Sequence, residues 1–284
     1  MSTPRIGVVL RPELPPEDLA ELAAFADQLG IDEAWIWEDC FLSGGVAVAA
    51  QILASTKTMA LGIGVLPTPM RNSAIAAMEI AAIARVHPGR LRVGFGHGVQ
   101  SWMKQIGAKA QSPLTLLREQ FTAVGRLLRG ETVTVSGRYV NLDDVILRWP
   151  PAAVPPLLIG ATGPKTLALS GEVADGTILS GGTTPDGVRR ALGHIAAQDH
   201  EVIVYLVCAF GRDSRKRAVA EVVSAEGDSP EEAVAVGTAA DVAAAVRRWL
   251  DAGATTVVLQ PTADEPDIRE FIRTVAQDVQ PLLP

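Results

Sequence analysis

His97 is the histidine placed where it could do most. It lies in RLRVGFGHGVQ (90–100), where Gly94, Gly96 and Gly98 alternate with Val93, Phe95 and His97. Glycine weakens a strand, so three at period two mark a place where something approaches the backbone closely. An imidazole, with its ordinary pKa of about 6.5, suits proton transfer or a hydrogen bond to a bound molecule. A polar cap on a strand end is the plainer role. Glu38 and Asp39 stand side by side in WIWEDC. Neighbours in an extended chain point to opposite faces, so they do not form a paired acid–base dyad. One faces the site and the other a helix or loop. The third feature is the turn IGATGPKTLAL (159–169), with Gly160, Ala161, Thr162, Gly163, Pro164 and Lys165 in succession. Proline at a first helical position wastes no donor, and the free N–H groups with the helix dipole suit an anion. An ordinary helix start has the same pattern.

Other chemistries lack their residues. There is no nucleophile elbow and no P-loop, and GFGHGV has one residue too few before its third glycine to be a dinucleotide fingerprint. The four histidines (87, 97, 194, 200) and two cysteines (40, 208) show no metal-ligand spacing, so no metal is expected. A net charge of −7 without a basic run argues against nucleic acid. No apolar run reaches the roughly 18 residues of a membrane span. The N-terminus has no signal-like core, and two distant cysteines fit a reducing cytoplasm.

These residues must be held by elements, and the elements alternate. Apolar runs at 5–10, 33–37, 59–66, 91–96, 156–160, 176–181, 201–209 and 255–260 read as strands. They are near-continuous rather than alternating, as in parallel strands buried on both faces. Helical stretches separate them, the one after the seventh strand expected at 238–253. Eight such units in 284 residues predict a closed (β/α)8 TIM barrel, one domain over 1–284. A β-hairpin around Ser136-Gly137 interrupts the rhythm at about 131–156, between the fourth helix and the fifth strand. In such a barrel the site lies at the C-terminal strand ends, which is where Glu38, Asp39, Gly64, Val65, Gly96, His97, Gly98 and the 160–165 turn fall. A glycine-lined mouth without nucleophile or metal fits cofactor chemistry: a flat, bulky ligand would need backbone stripped of side chains.

Three blocks, LGIGVLPTPMRNSAIAAMEIAAIARVHPGRLRVGFGHGVQSWMKQIG, PLTLLREQFTAVGRLLRGETVTVSGRYV and PPLLIGATGPKTLALSGEVADGTILSGGT, together resemble the luciferase-like monooxygenase superfamily. The similarity is closest to its F420-dependent oxidoreductase branch. The resemblance covers about residues 5–197 and implies a barrel with an insertion. It implies a non-proline cis peptide at Gly64-Val65 backing the central ring of a deazaflavin or flavin. It places Asp39 near the headgroup, Gly96, His97 and Gly98 along the ribityl side, and Gly160, Ala161, Thr162, Gly163, Pro164 and Lys165 around the phosphate. Relatives often carry histidine after the aspartate, where this chain has Cys40, so His97 or Glu38 becomes the candidate proton donor, with Cys40 as an apolar wall.

The resulting expectation is hydride exchange between F420 and a small organic substrate with a polarised double bond, by a homodimer. FMN with O2 and a partner reductase is the alternative in the same fold, and a non-catalytic flavin- or deazaflavin-binding barrel is another. A sugar-phosphate isomerase or aldolase ranks last, because no strand end offers a lysine.

Overall fold

The computed structural model describes residues 4–222 and 229–283. In chain order the elements are β1 (Arg5–Val9), α1 (Pro16–Gln28), β2 (Glu33–Ile36), α2 (Gly45–Ser55), β3 (Ala60–Pro67), α3 (Ser73–Val86), β4 (Leu91–Gly96), α4 (Gln100–Gln105) and α5 (Pro113–Leu128). A hairpin of β5 (Val133–Ser136) and β6 (Asn141–Val145) follows. The chain then runs through β7 (Leu157–Gly160), α6 (Pro164–Val173), β8 (Gly176–Leu179), α7 (Pro185–Ile195) and β9 (Glu201–Phe210). It closes with α8 (Ser214–Glu221), β10 (Val234–Gly237), α9 (Ala239–Asp251), β11 (Thr256–Pro261) and α10 (Ile268–Thr274).

Eight strands pair in parallel in the order β1-β2-β3-β4-β7-β8-β9-β11, and β11 returns to β1. This is the expected (β/α)8 barrel. The hairpin pairs antiparallel around residues 136–141, as its alternation predicts. One region departs from expectation. Between β9 and the helix expected at 238–253, the chain inserts α8 and β10, and β10 lies parallel along the upper half of β9. A four-residue strand in an acidic setting leaves no periodicity to read.

Two cores hold most of the ring, and a small third packs β9 against α8 and β10. The larger lies between strands and helices. A smaller one fills the lumen, with Val9, Trp35, Leu158, Ile178, Ile203, Tyr205 and Val258 buried together and Trp37 and Val65 packed on top. Trp35 lies flat over Gly62, where any side chain would collide with its indole, and meets Tyr205 edge-on at 5.9 Å. Below, at the N-terminal strand ends, Arg5 and Arg92 interlock with Glu33 and Glu201. Charges plug the bottom, aromatic rings fill the middle, and the C-terminal ends remain for chemistry.

Candidate active site

The mouth is built around an irregularity in β3. Its ladder with β4 slips between Ile63 and Leu66, and the Gly64-Val65 peptide is cis, where the family resemblance puts it. A second non-proline cis peptide, at Cys40-Phe41, was not foreseen. The bulge is pinned on both sides. Glu38 N–H donates to the Val65 carbonyl at 3.2 Å, and the Tyr205 hydroxyl donates to the Gly64 carbonyl at 3.2 Å. Burial pushes the Tyr205 phenol well above its ordinary pKa, so its proton stays in place to donate.

Val65 answers most of the glycine pattern. A Cβ at Gly96 or Gly160 would lie 2.6 Å from a Val65 methyl, and one at Gly94 would lie 2.5 Å from Ile178 and 3.2 Å from Val65. The expectation that a ligand alone required a bare backbone is therefore corrected: these glycines first make room for the protein's own valine. Gly64 has no space for a side chain because Tyr205 occupies it. Gly98 has φ +68°, the left-handed region that glycine tolerates, and turns the chain toward α4. The outcome is a raised shelf, Val65, at the centre of the mouth.

Around the shelf, the adjacent carboxylates do point different ways. Asp39 accepts a hydrogen bond from Trp37 Nε1 at 2.8 Å, and Trp37 lies under the Arg11 guanidinium at 5.5 Å. Burial raises the Asp39 pKa, against the Trp37 hydrogen bond. Glu38 is buried. Both its oxygens are gripped by Arg71 at 2.6 Å, and Oε1 also accepts from Gly45 N–H at 2.8 Å. This carboxylate anchors the start of α2 and is fully engaged away from a reacting molecule. Cys40 directs its thiol to the Met70 sulfur at 3.7 Å and, pushed up by burial, stays protonated.

His97 sits at the other side of the mouth. Its Nε2 is 2.9 Å from Thr166 Oγ1 in the first turn of α6, while Nδ1 is buried without a hydrogen-bond partner. Burial lowers its pKa and the Pro113 carbonyl acts weakly the other way, so the ring is neutral at pH 7. The 160–165 turn divides by role. Gly160 serves Val65, whereas Ala161, Thr162 and Pro164 line a cavity of about 290 Å³. Gly163 is the N-cap of α6 with no capping side chain, nothing lies within 4 Å of where its Cβ would be, and Lys165 is exposed. Across the cavity stand Gly181, Gly182, Arg190 and His194, and among the described residues no carboxylate lines it. One helix start, that of α6, with two basic side chains on the facing side of α7, fits a phosphate group.

Sequence reasoning missed Tyr205, Arg71, Arg190 and His194. The last two occupy one face of α7 at i and i+4, a spacing that was available to read. Tyr205 and Arg71 act across long sequence separations that leave no local signal. Among the described residues there is no cluster of metal-binding side chains, and no helix is long and apolar enough to cross a membrane.

Residues 1–235 match the sequence model of luciferase-like monooxygenases. The chain belongs to that family. It is 30% identical, over 77% of its length and 70% of the relative's, to 5,10-methylenetetrahydromethanopterin reductase of Methanolobus tindarius. It is 31% identical to F420-dependent glucose-6-phosphate dehydrogenase of Nakamurella multipartita, over 60% of this chain and 54% of that one, so it spans about half of that relative. Among solved structures, coenzyme F420-dependent tetrahydromethanopterin reductase from Methanopyrus kandleri superimposes with a TM-score of 0.87 over 100% of both chains, at 20% identity. That last likeness concerns the fold.

Proposed function

We propose that this chain is an F420-dependent oxidoreductase that exchanges a hydride with a small organic substrate carrying a polarised C=C, C=N or C=O bond. The observation that carries the reading is the Val65 shelf, seated in the space that Gly94, Gly96 and Gly160 leave, beside a cavity between the start of α6 and the face of α7 that no carboxylate lines among the described residues. A flat ring needs such a backing, and a phosphate needs such a cavity. When bound, reduced F420 supplies the hydride.

The chain's own residues do the rest. Val65 supports the ring from below. The α6 turn, with Thr162 and Gly163, holds the phosphate, and Arg190 adds charge. His97, through Thr166, ties the end of β4 to that turn, which makes it a positioning residue in this reading. Asp39 is the polar group at the headgroup end. Its carboxyl, raised by burial and oriented by Trp37 Nε1, suits holding a proton there. Glu38 positions Asp39 by fixing the β2 end to Arg71.

We also propose that the chain pairs with a second copy. Met78, Val86, Ile146 and Trp149 are more than half exposed on one face formed by α3 and the hairpin, an apolar patch of the kind that marks interaction surfaces. Light scattering on the eluting protein would show twice the chain mass, and a monomer mass would remove this part.

Titration with F420 and with FMN, followed by fluorescence, tests the main reading. F420 is expected to bind at least tenfold more tightly, a difference of about 1.4 kcal/mol. Tighter FMN binding would shift the assignment to oxygen chemistry with a partner reductase. Failure of both to bind would remove it.

A further inference from the structure

We propose that a second cavity, beyond the end of β3, is a binding site for a small organic anion. It holds about 380 Å³ between the 3-10 turn that follows β3, the start of α3, the loop after α4, α5 and the hairpin. That is room for a molecule of roughly a dozen heavy atoms, taking about 30 Å³ for each water-sized unit.

Its chemistry is one-sided. The whole chain carries −7, yet the cavity is lined by Arg71 and Lys109 and, among the described residues, by no aspartate or glutamate. Arg71 is balanced by Glu38 and Glu79, whereas Lys109 pairs with no carboxylate among the described residues, so it supplies the net charge. The 14-residue helix α3 presents its N-terminus here. Asn72 caps only the Ala74 N–H, which leaves the positive end of the helix dipole facing the cavity.

Independent of the helix, one buried polar side chain awaits a partner. Gln120 lines the cavity at 2% exposure, and nothing among the described residues hydrogen-bonds its amide. Leaving such a group unmade is costly, and an oxyanion would accept from its amide N–H groups. The Tyr139 hydroxyl, which accepts from Ser112 N–H at 2.7 Å, keeps its proton free to donate. Lys109, Gln120, Tyr139 and the helix end thus offer donors and, among the described residues, no acceptor carboxylate. The occupant is a carboxylate- or phosphate-bearing organic molecule. Its wall is shared with the active site, because Met70 touches Cys40 and Arg71 grips Glu38.

Calorimetric titration of the full chain, without cofactor, tests this using citrate and inorganic phosphate as probes. Citrate is expected to bind saturably, and at least tenfold more weakly to Lys109→Glu and to Gln120→Leu. Arg190→Ala, which alters the cavity at α7, should leave citrate binding unchanged. Lys109 is exposed, so Lys109→Glu folds, and Lys109→Gln should fall between it and the parent. The proposal is overturned if citrate does not bind, if Lys109→Glu and Gln120→Leu bind it as the parent does, or if only Arg190→Ala loses it. Phosphate bound as tightly as citrate, unaffected by Arg190→Ala and weakened by Lys109→Glu, would overturn the organic identity of the occupant. Because no cofactor is present, none of these outcomes depends on the F420 assignment.

Discussion

At Val65 the side chain occupies the space that glycines at 94, 96 and 160 leave, so a methyl added at Gly160 has nowhere to go without displacing it. Gly160→Ala should destabilise the protein by about 1–3 kcal/mol, the usual range for overpacking, and Val65→Ala in the same chain should recover much of that loss. Urea unfolding of the two single variants and the double variant would give the coupling; simple additivity would mean that the two do not meet. His97 and His200 supply a pH dependence. Burial lowers both pKa values in the folded state, so folding favours the neutral rings. Stability is then full above the unfolded value of about 6.5 and falls as the pH drops through the lower folded values. Melting temperatures measured between pH 8 and pH 5 should decline below about 6.5, and less so in His97→Asn. At this scale the sequence was legible as a signal of crowding. GFGHG announced a close approach, but a valine 30 residues upstream was the neighbour, and spacing alone does not distinguish a protein side chain from a ligand.

Among elements, the link between β2 and the start of α3 rests on Arg71, which holds Glu38 and Glu79 together. Arg71→Ala would leave the Glu38 carboxylate buried with only the Gly45 N–H, and losing one partner of a buried pair costs about 3–5 kcal/mol. The expected result is a large fall in the urea midpoint, together with weaker F420 binding because Asp39 loses its support. Arg71→Met paired with Glu38→Leu should recover most of the midpoint without recovering the binding. An unchanged midpoint in Arg71→Ala would refute the anchoring role. The strands and helices themselves were readable, because buried parallel strands write continuous apolar runs. α8 and β10 were not, since an eight-residue helix with four charged side chains and a four-residue strand fall below any periodicity. The Glu38–Arg71 pair was equally silent: its partners lie 33 residues apart and meet only once β2 and β3 are neighbours.

The whole molecule separates stability from chemistry along the barrel axis. The Arg5–Glu33–Arg92–Glu201 plug closes the bottom, and the shelf and cavities occupy the top. The ring is not uniform. β8 pairs with β9 only from Gly176 to Leu179, against Glu201 to Val204, and higher up β10 takes over the same edge of β9, from Val234 opposite Val207 to Gly237 opposite Phe210. Hydrogen exchange should therefore be faster at the Ser180, Gly181 and Gly182 amides than at Thr177, Ile178 and Leu179. Equal protection across that boundary would mean that the ladder continues. A barrel laced all the way round is a hoop, and spreading it anywhere breaks backbone bonds. This one is fastened like a clasp above Leu179, beside the cavity that includes Thr162 and Arg190. Spreading the rim there would unlace no strand pair among the described residues, so the point where the lacing stops is also the point where opening costs the least backbone pairing.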